Sequence, residues 1–202
     1  NKLPGTAYDV GDGWVIGTSP VGTTGDYNIW RWDDNKWTAM PGAAVRIGGT
    51  YNSPWVVNNA GAVFRWNGAA WAARPGIQAR DVGDGFAIST TATAGGYEIY
   101  RYDTTGWTKL PGGAVRVGGT YKFPWIVNNL GEIFRWNGSS WNLLPGKGVD
   151  IADGWVLGTT LIGTDYSIHR WNGSGWTQVS GAARNVGSAG GSPWIVNSSN
   201  EI

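Results

Sequence analysis

Apolar residues in this chain come in short alternating runs, broken every few positions by glycine or Asn-Gly. "AVRVG" (114–118), "PWIVNN" (124–129), "EIFRW" (132–136) and "SWNLL" (140–144) follow one another in this way. The breaks fall at Gly118-Gly119, Asn129-Leu130-Gly131, Asn137-Gly138 and Pro145-Gly146. Alternation of period two marks strands, and nowhere does a 3.6-residue apolar period persist for three turns. The pattern therefore predicts short strands and no helix of consequence. Asn-Gly between apolar runs predicts a type I′ hairpin turn, whose two central residues both need positive φ. Thirty-four glycines, far above the usual ~7% and without a collagen-like triplet, fit many tight turns between such strands.

The four-run unit repeats. "IFRWNGSSWNLLPG" (133–146) recurs as "VFRWNGAAWAARPG" (63–76), "IHRWNGSGWTQVSG" (168–181), "IWRWDDNKWTAMPG" (29–42) and "IYRYDTTGWTKLPG" (99–112). The closing glycines Gly5, Gly42, Gly76, Gly112, Gly146 and Gly181 stand 37, 34, 36, 34 and 35 residues apart, so long and short steps alternate. Four antiparallel strands in such a unit is the size of a β-propeller blade. A β-solenoid would have shorter repeats and parallel strands. The C-terminal "PWIVNSSNEI" (193–202) aligns with "PWIVNNLGEI" (124–133), and the N-terminal "NKLPG" with "NLLPG" (142–146). Equivalents of the eight residues 134–141 separate the two ends, and adding them completes three pairs of 70.

The expectation is one all-β domain over 1–202, a six-bladed β-propeller of four-stranded antiparallel blades in alternating odd and even types. Its blades span about 6–42, 43–76, 77–112, 113–146, 147–181 and, joining both termini, 182–202 with 1–5. Three accounts of the incomplete last blade stay open: a longer parent chain, a tolerated gap, or a strand from a second chain, which an unpaired edge invites. Odd blades lengthen the link between second and third strands ("GTSPVGTTGDYN", 17–28). Even blades lengthen the link between first and second ("GGTYNSPW", 48–55; "GGTYKFPW", 118–125; "GSAGGSPW", 187–194). Two unlike ring faces should result.

Some residues recur at fixed slots. The Phe134 slot holds Trp30, Phe64, Tyr100 and His169 in the other copies, which predicts an inter-blade packing site. His169, the sole histidine, is read as packing, since no cysteine or second histidine could join it around a metal. Arg31, Arg65, Arg101, Arg135 and Arg170 share another slot, as ligand contacts or as stems packed on tryptophan. Near the start of each unit stand Asp9, Arg46, Asp81, Arg116, Asp150 and Asn185, predicted to pair between neighbouring blades close to the axis.

Composition narrows the functions. Fifteen Trp, eight Tyr and four Phe can form a core with little aliphatic bulk, each ring burying about 150–250 Å². A net charge of +1 gives no reason to expect nucleic acid or an anionic membrane as partner. No apolar run approaches the ~20 residues of a membrane span. No signal-peptide pattern stands at Asn1, so a cytoplasmic location, or release without a recognisable signal peptide, is expected. With no cysteine, disulfide and thiolate chemistry are excluded. No paired carboxylates, activated nucleophile or metal cluster stands out from the repeat, so neither enzyme activity nor a cofactor is expected.

Repeated Trp, Asn and Arg suit several similar shallow sites, and multivalency can multiply weak affinity by ~10²–10⁴. Aromatic faces beside amides and guanidinium suit sugars, whose apolar ring face stacks while hydroxyls take polar partners. The candidate carbohydrate-binding residues lie in the even-blade grooves: Tyr51, Tyr121, Trp55, Trp125 and Trp194 for apolar contact, Asn58, Asn128 and Asn197 for polar contact, with Arg65 and Arg135.

The combination of "W-x-V-N", "I-[FY]-R-[WY]-N-G" and "W-x-x-L-P-G", seen whole in "PWIVNNLGEIFRWNGSSWNLLPG", resembles tectonin repeats over essentially the entire chain. That family includes fungal, slime-mould, fish-egg and horseshoe-crab lectins. The resemblance implies a six-bladed lectin of innate defence that recognises glycans on bacteria or nematodes. As in the fungal members, it implies O-methylated sugars held between blades. The odd blades depart from the pattern, with "DGWVIGT" and "DGFAIST" in place of "W-x-V-N", so the six grooves need not bind alike. The alternative function is a protein–protein scaffold, as in animal autophagy proteins that carry these repeats. Homo-oligomer formation is left open.

Overall fold

The structure, a computed structural model, describes residues 2–202, and among them forms strands and no helix. Strands β1 (Ala7–Val10), β2 (Trp14–Val21), β3 (Asp26–Asp33) and β4 (Lys36–Ala44) make one antiparallel sheet in chain order. A second holds β5 (Arg46–Thr50), β6 (Ser53–Val57), β7 (Val63–Trp66) and β8 (Trp71–Ala73). A third holds β9 (Ala79–Val82), β10 (Phe86–Thr93), β11 (Gly96–Asp103) and β12 (Gly106–Ala114). Next come β13 (Arg116–Gly119), β14 (Pro124–Val127), β15 (Glu132–Trp136), β16 (Trp141–Ala152), β17 (Trp155–Ile162), β18 (Asp165–Trp171) and β19 (Trp176–Ala183). Together they form one seven-stranded sheet, and β20 (Asn185–Gly187) pairs with β21 (Trp194–Val196).

Two turn expectations are corrected. Pro145-Gly146 does not end a strand, because β16 runs through it and joins two repeats in one sheet. Pro41-Gly42 lies inside β4 in the same way. Ile29 pairs with Met40 and Asn28 with Ala43, so the two residues loop out as a bulge with Gly42 at φ 85°. The Asn-Gly hairpins are not type I′ either. Trp66 faces Trp71 across four residues, and Asn67 Oδ1 accepts from the backbone N–H of Ala69 and Ala70 at 2.9 and 2.8 Å. The asparagine side chain thus mimics a backbone turn, and only Gly68 has positive φ there. Both central residues have positive φ in the Asp34-Asn35 loop, at 45° and 65°.

Neighbouring sheets pack face to face because each strand carries apolar residues on both sides. Trp14, Ile16 and Ile29 meet Phe64, Trp66 and Trp71 of the next sheet. Trp55, Val57 and Val63 meet Ala87, Tyr102 and Trp107 of the one after. At five boundaries a tryptophan at the start of a fourth strand donates its Nε1 backwards: Trp71 to Pro41 O at 2.8 Å, Trp107 to Arg74 O at 3.0 Å, Trp141 to Pro111 O at 3.0 Å, Trp176 to Pro145 O at 2.8 Å and Trp37 to Pro4 O at 2.7 Å. The two ends of the chain meet as expected. Leu3 N–H donates to Ile202 O at 2.8 Å, Ala7 N–H to Asn200 O at 2.9 Å, and Thr6 bridges Glu201. Asn1, assigned to that junction from the sequence, lies outside the described residues.

The first strands of the repeats stand in a circuit: β1 beside β5, then β9, β13, the second half of β16, β20, and β1 again. They approach closely at Gly48, Gly118 and Gly187. A Cβ there would lie 2.2, 2.3 and 2.2 Å from the carbonyl oxygens of Val82, Ile151 and Val10. A central cavity of about 30 Å³ collects Asp9, Arg46, Asp81, Arg116, Asp150 and Asn185. The predicted pairs form at Asp9 and Asp150, whereas Asp81 is bound by backbone. Arg46 reaches Asp9 at 3.7 Å, Arg116 reaches Asp150 at 3.5 Å, and Asn185 Nδ2 donates to Asp9 at 3.2 Å. Each carboxylate also accepts a backbone N–H from the neighbouring repeat: Ile47 to Asp9 at 2.8 Å, Val117 to Asp81 at 2.9 Å and Val186 to Asp150 at 2.8 Å. Burial drives these carboxyls up against the opposing pull of the arginines, Asp9 to about 6 and Asp150 to about 7, and raises Asp81.

Candidate functional site

Four of the five recurrent arginines pair in register with tryptophans of their own sheets, Arg31 with Trp14, Arg65 with Trp55, Arg135 with Trp125 and Arg170 with Trp155, while Arg101 pairs with Phe86. Each of those four guanidiniums lies 4.9–5.6 Å from the centre of its indole. Of the two readings of this slot, the structure shows the packed one, a cation–π contact worth about 0.5–1 kcal/mol where solvent reaches it. Arg65 also donates to Ser53 Oγ at 2.6 Å, and Arg135 covers Phe123 at 4.9 Å.

The residues expected in the even-blade grooves do not come together. Trp55 and Trp125 are each 2% exposed, packed edge-on against Tyr102 and Trp107 and against Trp171 and Trp176. Burial leaves neither a ring face for a ligand. Trp194 is half-buried, 6.1 Å from Trp37. Tyr51 and Tyr121 do lie at the rim, 36% and 45% exposed. Each ring rests on a glycine, Gly13 or Gly85, where a Cβ would come within 2.6 Å of it. Asn58, Asn128 and Asn197 sit at the opposite ends of their strands and cap turns. Their Oδ1 atoms accept from Ala62 at 2.8 Å, from Leu130 and Glu132 at 2.9 and 2.8 Å, and from Ser199 and Glu201 at 3.0 and 2.9 Å. The reason is topological, since in an up-and-down sheet the first and second links lie at opposite ends. The length of β6 separates Tyr51 from Asn58. On their own face Asn58 lines a polar depression of about 600 Å³ with Gln78, Arg80 and Thr90, and Asn197 one of about 310 Å³ with Tyr8 and Arg184.

The groove that combines aromatic faces with amide and hydroxyl groups lies at the third-strand aromatic slot instead. Trp30 and Trp37 form its aromatic wall, Val15 and Ile202 its floor, and Thr6, Thr18, Ser19 and Asn28 its polar rim, around about 290 Å³. That is close to the lower end of small-molecule sites, ~300 Å³. β3 aims Asn28 and Trp30 to one side because they are two residues apart on a strand. The Asn28 amide, oriented to satisfy its neighbours, accepts from Trp30 Nε1 at 2.7 Å and donates to Ser19 O at 3.3 Å. Gly17 makes room for this pair, since a Cβ there would clash with the end of the Asn28 amide. Thr6 and Thr18 hydroxyls share a bond of 2.7 Å. None of the lining side chains is ionisable. The groove therefore presents stacking surface and neutral hydrogen-bonding groups to a neutral ligand.

Two other copies of this place carry different chemistry. Tyr100 donates to Glu98 at 2.8 Å, and Glu98 is also bound by Lys109. His169 Nε2 lies 3.0 Å from Ser167 Oγ, and burial holds its pKa below the usual histidine value. His169 fills the aromatic slot, as its position in the repeat predicts. Sequence reading found the slot but not this groove. The available signal was its largest occupant, Trp30, opposite a glycine.

The sequence matches no protein-family model and no curated protein. Among solved structures, the chain is similar to that of the SapL1 lectin in complex with alpha methyl fucoside, at 12% identity over 93% of this chain and 85% of that one, with a TM-score of 0.50. It is also similar to YCF48 bound to D1 peptide, at 15% identity over 88% of this chain and 68% of that one, with a TM-score of 0.44. At such identities the likeness is one of fold. The fold class is an all-β propeller built of antiparallel sheets.

Proposed function

We propose that this chain is a carbohydrate-binding protein, a lectin, and that the Trp30–Trp37 groove holds a neutral sugar. The observation that carries this reading is the groove's composition: two tryptophan faces beside an oriented amide and three hydroxyls, with no ionisable side chain. A sugar's apolar face stacks on Trp30 while its hydroxyls exchange bonds with Asn28, Thr18 and Ser19. The apolar floor of Val15 and Ile202 favours a sugar bearing an O-methyl group, as the tectonin resemblance implies. The circuit of first strands is read as a six-bladed propeller that makes residues 1–202 one domain. Because the related grooves differ at Asn28, Glu98 and Ser167, binding is strongest at one groove, with the others adding avidity where ligands are dense. Surface glycans of bacteria or nematodes present such density.

Calorimetry with methylated and unmethylated monosaccharides tests this, beginning with α-methyl fucoside, the ligand of the SapL1 complex. Trp30→Ala should weaken binding about tenfold, the loss of one stacking contact of ~1.4 kcal/mol. Failure of every sugar to bind, or unchanged affinity in that variant, would sink the reading.

A further inference from the structure

Three copies of one asparagine differ in what meets their amide nitrogen. Asn128 Oδ1 accepts from the Glu132 N–H at 2.8 Å, and its Nδ2 donates to the Glu132 carboxylate at 2.7 Å. Asn197 repeats the second bond with Glu201 at 2.9 Å. Asn58 is held in the same way, its Oδ1 accepting from the Ala62 N–H at 2.8 Å, but alanine brings no carboxylate to Nδ2. The surroundings change with it. Gly148 N–H donates to Gly131 O and Ala79 N–H to Gly61 O, so Gln78 stands where Lys147 does and Arg80 where Val149 does. The lysine that faces Glu132 at 4.0 Å thus has no counterpart beside Asn58, and a guanidinium stands two positions further on. Gln78 and Arg80 are exposed while Ala79 and Asp81 are buried, so both point out of the core. The Arg80 guanidinium lies 3.8 Å from the centre of the Tyr97 ring, which fixes its position. These groups border the depression of about 600 Å³, together with Arg46, Asn59 and Thr90 and with no acidic side chain. Arg46 turns to Asp9 at the axis, so Arg80 supplies the charge.

We propose that this depression binds a carboxylate-bearing sugar, a hexuronic acid, whose carboxylate takes the place that Glu132 fills beside Asn128. Asn58 Nδ2 donates to one carboxylate oxygen, and Arg80 offers a planar pair of donors to the same group, a charge-assisted contact stronger than a neutral one. Around that charge stand amides and a hydroxyl, Asn59, Gln78 and Thr90, which suit the hydroxyls of a sugar ring. The volume falls within the ~300–1,000 Å³ of small-molecule sites. In the Asn128 copy the chain's own glutamate occupies the place, so one repeat displays the contact that the other leaves to a ligand. The site shares no residue with the Trp30–Trp37 groove and selects by charge where that groove selects by stacking. It rests on the lectin reading only in taking a sugar as the carrier of the carboxylate.

The test titrates glucuronate, galacturonate, glucose and acetate against the whole chain by calorimetry, with amide chemical shifts to locate the site. At least one uronate should bind one-to-one, with shifts concentrated at Asn58, Ala62 and Arg80. Glucose has the ring without the carboxylate and acetate the carboxylate without the ring, and each should bind at least about tenfold more weakly. Arg80→Gln should weaken uronate binding by at least about tenfold. Ala62→Glu, which installs the Glu132 arrangement, should do the same without lowering the melting midpoint. The reverse exchange, Glu132→Ala with Val149→Arg, should add a second site. No uronate binding, equal binding of glucose, or unchanged binding in Ala62→Glu would overturn the inference. Acetate binding as tightly as the uronate would remove the sugar from it, and shifts at Trp30 in place of Asn58 and Arg80 would return the ligand to the other groove; either result overturns it. Failure of neutral sugars at Trp30 is read at different residues, so the two readings fail separately.

Discussion

Along the axis the chemistry barely changes from one pair of repeats to the next. An Asp carboxylate accepts the N–H of the next first strand at Ile47, Val117 and Val186, and glycine stands at the three closest approaches, Gly48, Gly118 and Gly187. At the rim it varies: the aromatic slot holds Trp30, Phe64, Tyr100, Phe134 and His169, and its polar companion is Asn28, Glu98 or Ser167 in the odd repeats. The axis is a single coupled object, where each group is hemmed in by strands of other repeats and a buried polar atom must keep its partner. Rim grooves touch only two repeats each. Substitution there alters one groove without disturbing the others, which leaves the rim free to carry recognition.

The sharpest break in that contrast comes from one glycine at each place. At Gly48 a Cβ would lie 2.2 Å from the Val82 carbonyl oxygen, and backbone on both sides cannot step aside. Gly48→Val should cost about 4 kcal/mol or more, the range reserved for overpacked or disrupted cores. It also pulls on Ile47, whose N–H serves Asp9. At the rim Gly68 has φ 99° but nothing within 4 Å, so Gly68→Val should cost only the left-handed backbone penalty of about 1–2 kcal/mol. Denaturant melts of the two variants measure the gap, and equal losses would erase the distinction.

A smaller effect sharpens the comparison through pH. The axial cavity sets three carboxyls against two guanidiniums, with Asn185 where alternation would place a third arginine. Asp9 and Asp150 flank that asparagine and hold protons to about 6 and about 7. Their folded-state pKa values exceed the unfolded ones, so the folded chain binds more protons between about pH 4 and pH 7, and stability falls as pH rises through that window. The loss from pH 5 to pH 8 should be on the order of 4 kcal/mol, one pK unit from Asp9 and two from Asp150. Carboxyls held low outside the axis, Asp33 by the Tyr51 hydroxyl and Glu201 by Lys2, act in the opposite direction at lower pH. Stability should therefore peak at about pH 4, the lower edge of that window. Asn185→Arg supplies the absent cation and should flatten the fall above the peak, whereas Asn185→Asp should steepen it. A pH-independent melting midpoint in the parent protein would remove the axis as a titrating unit.

The axis was also the more legible region. Four residues past each closing glycine, or five in one copy, the alternation of Asp and Arg is visible in the chain, because strands packed round an axis put the same register position at the same depth. The arginine stacks were legible as one of two readings, and Trp30 as a packing slot. What escaped were choices between local alternatives that the sequence leaves nearly equal. Asn67 could enter a type I′ turn or fold its own amide over a four-residue loop, and it does the second. Pro41-Gly42 could end a strand or bulge out of one. Placing Tyr51 and Asn58 in one groove failed because both belong to one repeat but to opposite ends of β6. Residue type alone carries no information about which end of a strand reaches which face.

The smallest expected effect separates two rim residues that look alike in sequence. Tyr51 and Tyr121 rest on Gly13 and Gly85 in the same way, and their backbone N–H groups donate to Asp12 at 3.1 Å and Asp84 at 2.8 Å. Tyr51 differs in its hydroxyl, which donates to Asp33 and lies 3.0 Å from Trp32 O, tying one repeat to the next. Among the described residues no such bond is formed by Tyr121, which is 45% exposed. Removing the hydroxyl leaves both rings in place, so the pair isolates one hydrogen bond in a constant setting. Tyr51→Phe should cost about 1 kcal/mol, the usual net worth of such a bond, and release Asp33 toward its ordinary pKa. Tyr121→Phe should change stability by no more than about 0.5 kcal/mol, as surface substitutions do. If both lose the same, the hydroxyl contact at Tyr51 contributes nothing, and the anchoring at this rim comes from ring packing and backbone alone.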